Sequence, residues 1–247
     1  MQCKICGNED GNKIVKVKEM MFGNREIFDY VECDFCECLQ LNSVPNDLNK
    51  YYDSNYYSYE VKKETVFRKI SKYLDSCVYK SLIFNNSGIG KFLLLNFDFL
   101  GGITKISISK IIKKLLNTNN NLTLNSNILD VGCGNGRFLE ILESIGFNNL
   151  YGIDMFISKD LPNHKNITLI ESVLDQFISN VKFDLIFLND SFEHMDNQLE
   201  NFIQLKNLLN YNGAIIMKLP IKSRYIYKKL ELIGFKLMHQ DIFIAIH

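Results

Sequence analysis

Three groups of residues have the types and spacing for chemistry. Cys3 and Cys6, then Cys33 and Cys36, form two C-x-x-C pairs. Each pair can present two thiolates from one turn, and two such turns complete a tetrahedron around zinc. A zinc ion with four protein ligands is closed to substrate, so the role expected is structural; Cys38, close behind Cys36, is an alternative fourth ligand. The second group is Asp130-Val131-Gly132-Cys133-Gly134-Asn135-Gly136. Glycines at alternate positions let the backbone approach a ligand closely and aim the N–H groups of the following helix at it. Asp154, one helix and one strand further on, stands where nucleotide-binding α/β sheets accept hydrogen bonds from ribose hydroxyls. The third group is Glu193 and His194, the pair suited to acid–base work, since an imidazole beside a reacting centre can take a proton from an acceptor. Each has a plainer alternative: free cysteines, a tight turn without ligand, and a histidine that only holds the next helix.

Short apolar runs supply the strands that would position these groups. Ile128, Leu129 and Val131 precede the glycines, and Phe138, Leu139, Ile141 and Leu142 follow at helical spacing. Leu150 to Asp154, Ile167 to Glu171 and Phe183 to Asn189 read as three further buried strands. Tyr211-Asn212-Gly213 reads as a turn into a fifth strand that ends near Pro220. Helical periodicity fills Glu60 to Leu116, with Gly88, Gly90, Gly101 and Gly102 dividing it into two or three helices. One helix is expected over 221–233, then an antiparallel strand pair closing through Ile242 to Ile246.

The acidic G-x-G-x-G run, with strands ending in Asp154 and Asn189 in this order, resembles class I S-adenosylmethionine-dependent methyltransferases. Arg137 stands where the dinucleotide fingerprint G-x-G-x-x-G/A needs a small residue, so an NAD-dependent enzyme fits poorly. The resemblance covers Ile128 to Pro220 well and implies a Rossmann-like, doubly wound, mostly parallel α/β sheet that binds S-adenosylmethionine. It implies that Asp130 shapes the loop and the site for the cofactor's amino group. The backbones of Gly132, Cys133, Gly134 and Gly136 would lie against the methionine and ribose, with Asp154 and Met155 contacting the nucleoside. Ser172 and Val173 would meet the adenine edge, and Asn189 would face the cofactor. His194, with Glu193, is either catalytic or structural in such enzymes.

Zinc-ribbon pairs ahead of such a core resemble a group of bacterial methyltransferases acting on nucleotide-linked sugars or encoded among surface-glycan genes. That points to methyl transfer to a small molecule or glycan precursor. The dense tyrosines of 51–59 would either line an acceptor pocket or pack the ribbon against the core. The organisation expected is a zinc-ribbon-like segment over 1–45, a helical cap over 46–126 and the cofactor-binding core over 127–247. A methyltransferase acting on protein or nucleic acid and a non-catalytic binding module remain as rivals. Asn189-Asp190-Ser191-Phe192 lacks the two prolines of the amino-group nucleic-acid enzymes' N/D-P-P-Y/F motif.

Composition agrees with that choice. The chain has 247 residues, 47% of them hydrophobic, enough for one substantial domain and a small one. Lys+Arg and Asp+Glu both number 28, so nothing in the balance calls for nucleic acid or an anionic membrane. No apolar run approaches a membrane span, and Met1-Gln2-Cys3-Lys4 is not an apolar signal segment, so a cytoplasmic protein is expected. Seven cysteines, an odd count, do not suggest a disulfide framework there.

Overall fold

The computed structural model describes residues 1–19, 25–43, 65–85, 88–96, 103–117, 122–158, 164–195, 197–221 and 240–246. The tyrosine-rich run 51–59 and the helix expected over 221–233, beyond its first residue, lie outside the described residues.

Two sheets form. The first is small and antiparallel: β1 (Lys13–Lys18), β2 (Ile27–Glu32) and β3 (Leu39–Leu41), in that spatial order. β1 and β2 alternate in exposure along most of their length, but among the described residues of this segment only Cys3, Val31 and Cys33 are buried, which leaves little apolar core there.

The second sheet has six strands: β4 (Asn127–Val131), β5 (Asn149–Asp154), β6 (Ile167–Glu171), β7 (Phe183–Asn189), β8 (Leu209–Ile221) and β9 (Gln240–Ile246). Their order is β6-β5-β4-β7-β8-β9, with the first five parallel and β9 antiparallel to β8. This is the doubly wound α/β arrangement expected. The parallel strands read as apolar runs because both faces are covered. Ile128, Leu150, Leu185, Phe187, Ala214 and Ile216 face one core. Leu129, Val131, Ile153, Ile186, Leu188, Ile215 and Met217 face the other, which is the two-residue alternation of a strand.

Helices close the first face. They are α1 (Val66–Phe84), α3 (Ile103–Asn117) and α4 (Arg137–Ile145), with α2 (Ile89–Asn96) between the first two. The described residues of 66–117 form three helices, within the two or three expected; Gly88 lies between α1 and α2, but Gly90 lies inside α2, and Gly101 and Gly102 are outside the described residues. Ile108, Ile112 and Leu115 of α3 and Leu139, Leu142 and Ile145 of α4 recur at helical spacing and are buried. Lys72 pairs with Glu140 at 2.6 Å and Ser76 Oγ donates to the Ser144 carbonyl at 3.4 Å, so α1 runs alongside α4 in the same direction. On the other face α5 (Gln198–Leu208) packs Leu205 and Leu208 against the sheet.

One strand differs from the reading of the sequence. The turn expected at 211–213 lies inside β8. Phe183 pairs with Leu209, but Leu185 pairs with Ala214, so extra residues of β8 bulge between those two rungs. Gly213 is needed there: a Cβ on it would sit 2.8 Å from the Phe183 carbonyl oxygen.

Candidate functional site

The chain lays down β4, then β5 and β6 to one side, then returns to place β7 on the other side of β4. The C-terminal ends of β4 and β7 therefore flank the point where strand order reverses, which is where open α/β sheets bind ligands. The glycine loop follows β4 and the Glu193–His194 turn follows β7, so topology brings two of the three sequence-defined groups to one mouth.

The loop is built from left-handed glycines. Gly132, Gly134 and Gly136 have φ of 78°, 53° and 77°. Gly132 has a second reason to lack a side chain, because a Cβ there would lie 2.4 Å from Ser191 Cβ. The amides of Gly132 and Cys133 both donate to the Ile153 carbonyl, at 2.9 and 3.1 Å, tying the loop to β5. Gly134 N–H donates to Asp154 Oδ2 at 2.8 Å, and Phe156 N–H donates to Asp154 Oδ1 at 2.9 Å. Asp154 thus braces the loop as well as standing at the tip of β5. Burial raises its carboxyl, while the amides of Phe156, Gly134 and Met155 hold it down.

Asp130 is 2% exposed, and its Oδ1 has no hydrogen-bond partner among the described residues. Burial first, and then the neighbouring Asp154 charge, push its carboxyl up to about 7, with Asn189 pulling the other way. Met155 is exposed at the end of β5. Ser172 N–H donates to the Asp154 carbonyl at 2.9 Å, which sets Ser172 and Val173 beside the end of β5. Cys133 is half-buried, and burial drives its thiol strongly upward, so it is no thiolate.

After β7, His194 sits in a single 3-10 turn, Phe192–His194. His194 Nε2 lies 3.9 Å from Glu193 Oε1, beyond hydrogen-bond length, and the imidazole is half exposed. Reading the sequence missed Ser191. Its Oγ donates to the Val131 carbonyl at 2.7 Å, clipping the post-β7 turn to the end of β4. The signal available was topological: if β7 lies beside β4, the second residue after β7 must meet the glycine loop. Asn135 was missed too; its Oδ1 accepts from Ser158 N–H at 3.4 Å.

The cysteine site is separate in sequence and internally repeated. Cys3 N–H donates to the Asn8 carbonyl and Gly7 N–H to the Cys3 carbonyl. Likewise Cys33 N–H donates to the Cys38 carbonyl and Glu37 N–H to the Cys33 carbonyl. Gly7 and Glu37, at matching positions, both have positive φ, 75° and 60°. These two turns bring Cys3, Cys6, Cys33 and Cys36 together, with all four sulfurs within 4.8 Å of one another. Cys3–Cys36 and Cys6–Cys33 are each 3.6 Å apart. A tetrahedral ion with Zn–S bonds near 2.3 Å would set sulfur separations of about 3.8 Å, so the donor set fits zinc. Cys38 is outside the four-sulfur set. The Cys36 amide, aimed at the Cys33 sulfur from 3.5 Å, and that of Phe35 lower the Cys33 thiol to about 6. Burial, and sharing of protons with its neighbours, push Cys36 up to about 12.

Comparison with known proteins agrees with the sheet. The family profile described as "Methyltransferase domain" matches residues 105–241. Malonyl-[acyl-carrier protein] O-methyltransferase 1 of Ilyobacter polytropus is 32% identical over 96 residues, 36% of this chain and 36% of its own. Ubiquinone biosynthesis O-methyltransferase of Rickettsia bellii is 24% identical over 137 residues, 53% of this chain and 57% of its own. The chain thus spans between about a third and somewhat over half the length of these curated relatives. Among solved structures, the plantazolicin methyltransferase BpumL with a pentazolic desmethylPZN analogue and SAH is 22% identical, covering 66% of this chain and 65% of its own, with a TM-score of 0.43. Among the described residues no helix is long and apolar enough to cross a membrane.

Proposed function

Because the chain belongs to the methyltransferase domain family, we propose that it transfers a methyl group from S-adenosylmethionine to a small-molecule acceptor at the mouth between β4 and β7. The observation that carries this is the loop itself: three left-handed glycines at the sheet's switch point, with Asp154 bracing them and a buried Asp130 oxygen that has no donor among the described residues. A backbone cradle beside a buried carboxyl suits a cationic ligand. S-adenosylmethionine supplies a methyl group already activated by a sulfonium leaving group.

The chain's part is then to orient and to exclude water. Gly132, Gly134 and Gly136 let the backbone meet the cofactor without Cβ atoms in the way. Asp154 holds the Gly134 amide and keeps further lone pairs for ribose hydroxyls. Met155, Ser172 and Val173 at the tips of β5 and β6 stand on the adenine side, and Asn189 beside Asp130. Where the acceptor nucleophile carries a proton, His194 takes it, and Glu193 steadies the imidazolium that forms.

The acceptor we favour is a nucleotide-linked sugar or another glycan precursor. Its support is the sequence resemblance of the cysteine-bearing N-terminal segment and the zero net charge. The names of the curated relatives point elsewhere, to malonyl-[acyl-carrier protein], ubiquinone biosynthesis and tRNA U34. We assign Cys3, Cys6, Cys33 and Cys36 to a structural zinc ion, since a four-thiolate site leaves no open position for substrate.

Calorimetric titration with S-adenosylmethionine and with NAD tests the cofactor. Saturable binding of the first alone is expected, weakened at least tenfold in Asp154→Ala. Folded protein that binds neither would refute the assignment. An acceptor panel of nucleotide sugars and acyl thioesters, read by S-adenosylhomocysteine release, then tests the substrate class.

A further inference from the structure

Burial and the charge of Asp154 disfavour ionisation of the Asp130 carboxyl, and Asn189 favours it. Asp154 approaches from the end of β5 and the Cys133 thiol from the loop, while the neutral Asn189 amide comes from β7. The titratable groups of the post-β7 turn are Asp190, Glu193 and His194, the last two 3.9 Å apart. Lys218 of β8 is an ion-pair partner of Asp190. Among the described residues no cation acts on Asp130, and its Oδ1 is buried without a hydrogen-bond partner. A charged carboxylate in that position would carry the full cost of desolvation, and protonation relieves it.

We propose that Asp130 is held as a neutral carboxylic acid in the cofactor-free protein and gives up its proton when S-adenosylmethionine binds, so that cofactor affinity rises with pH. This rests on the cofactor reading above. The balance is simple: the O–H bond of the Asp130 carboxyl breaks, the proton goes to the buffer, and the carboxylate is left opposite the cofactor's positive charge. No redox partner or other covalent change is involved. With the carboxyl raised to about 7, the ionised fraction of free protein is about one tenth at pH 6 and about nine tenths at pH 8, so affinity should rise about tenfold across that span. Asp130 thereby selects for a cationic cofactor, because a neutral or anionic ligand gives no return for ionising it.

Calorimetry in paired buffers of low and high ionisation enthalpy counts the protons. Expected release is about four fifths of a proton per cofactor at about pH 6.4, falling to about one fifth at about pH 7.6. His194→Gln should leave that release intact, and Asp130→Asn should abolish it and flatten affinity against pH. Should Asp130→Asn fail to bind, the 13C shift of the Asp130 carboxyl in cofactor-free wild type decides: a midpoint above pH 6 is expected, and one below pH 5 overturns the proposal. Binding with heat independent of buffer also overturns it, while leaving the cofactor reading standing. Absence of any binding by folded protein overturns both.

Discussion

Stripping metal from the four-cysteine site should unfold the small sheet and leave the large one standing. The magnitude follows from what residues 1–43 bury. Among the described residues there, Val31 is the one aliphatic side chain removed from water, which contributes about 1.5–3 kcal/mol. Ordering the 15 strand residues of β1, β2 and β3 costs at least about 15 kcal/mol of backbone entropy. The nine registered pairs return roughly 1 kcal/mol each through hydrogen bonds. Without metal the segment is a few kcal/mol short of folding, and a structural zinc ion contributes on the order of 10–16 kcal/mol. Hydrogen exchange read by peptide would decide it. On chelation, protection of 13–18 and 27–32 should vanish while 127–131 and 183–189 keep theirs, and zinc should restore the first pair. Cys33→Ser should behave like the chelated protein. Acid should mimic chelation too, because protons compete with the metal for the thiolates. Unchanged protection of 27–32 in protein shown to be metal-free would refute the reasoning.

Four further outcomes follow from the site. Gly132→Ala places a Cβ 2.4 Å from Ser191 Cβ and keeps a left-handed φ, so cofactor binding should be lost. Adding Ser191→Gly should recover about 1 kcal/mol or more of the stability in a double-mutant cycle, because the clash goes and only the φ strain of about 1–2 kcal/mol remains. Asp130→Asn should stabilise the cofactor-free protein at pH 8 but not at pH 4. The wild-type carboxyl is raised in the fold, so its stabilising contribution is full below its ordinary value of 3.8 and is lost as pH rises through about 7. The three-unit difference sets an upper bound of about 4 kcal/mol, readable as a melting-temperature difference that opens with pH. Ser191→Ala removes the clip to the Val131 carbonyl and should weaken cofactor affinity severalfold with little loss of global stability, measured by calorimetry beside thermal melts. His194→Gln should lower turnover for acceptors that must lose a proton and leave the dissociation constant for S-adenosylmethionine unchanged, separable by binding and rate measurements on the same preparation.

How much of this was readable beforehand depends on whether a role is local. A parallel strand covered on both faces must be apolar throughout, so Leu129, Ile153 and Ile186 announced β4, β5 and β7 from the sequence alone. A backbone that curls left-handed favours glycine, so Gly132, Gly134 and Gly136 announced the loop. Ser191 could not be found that way. It earns its place only because β7 returns to lie beside β4, and nothing within ten residues of it carries that information. Glu37 was hidden for a related reason: it holds the left-handed position that Gly7 holds in the other turn, and the repeat appears only in the backbone hydrogen bonds. The bulge in β8 was misread as a turn because Asn212-Gly213 is a turn signal, while the pairing with β7 continues on both sides of it. Asp130 is the furthest case. Its position was marked by the glycines after it, but its charge state depends on which groups the fold leaves out around it. The motif therefore locates the carboxylate, and only the three-dimensional arrangement makes it a candidate proton donor to solvent on cofactor binding.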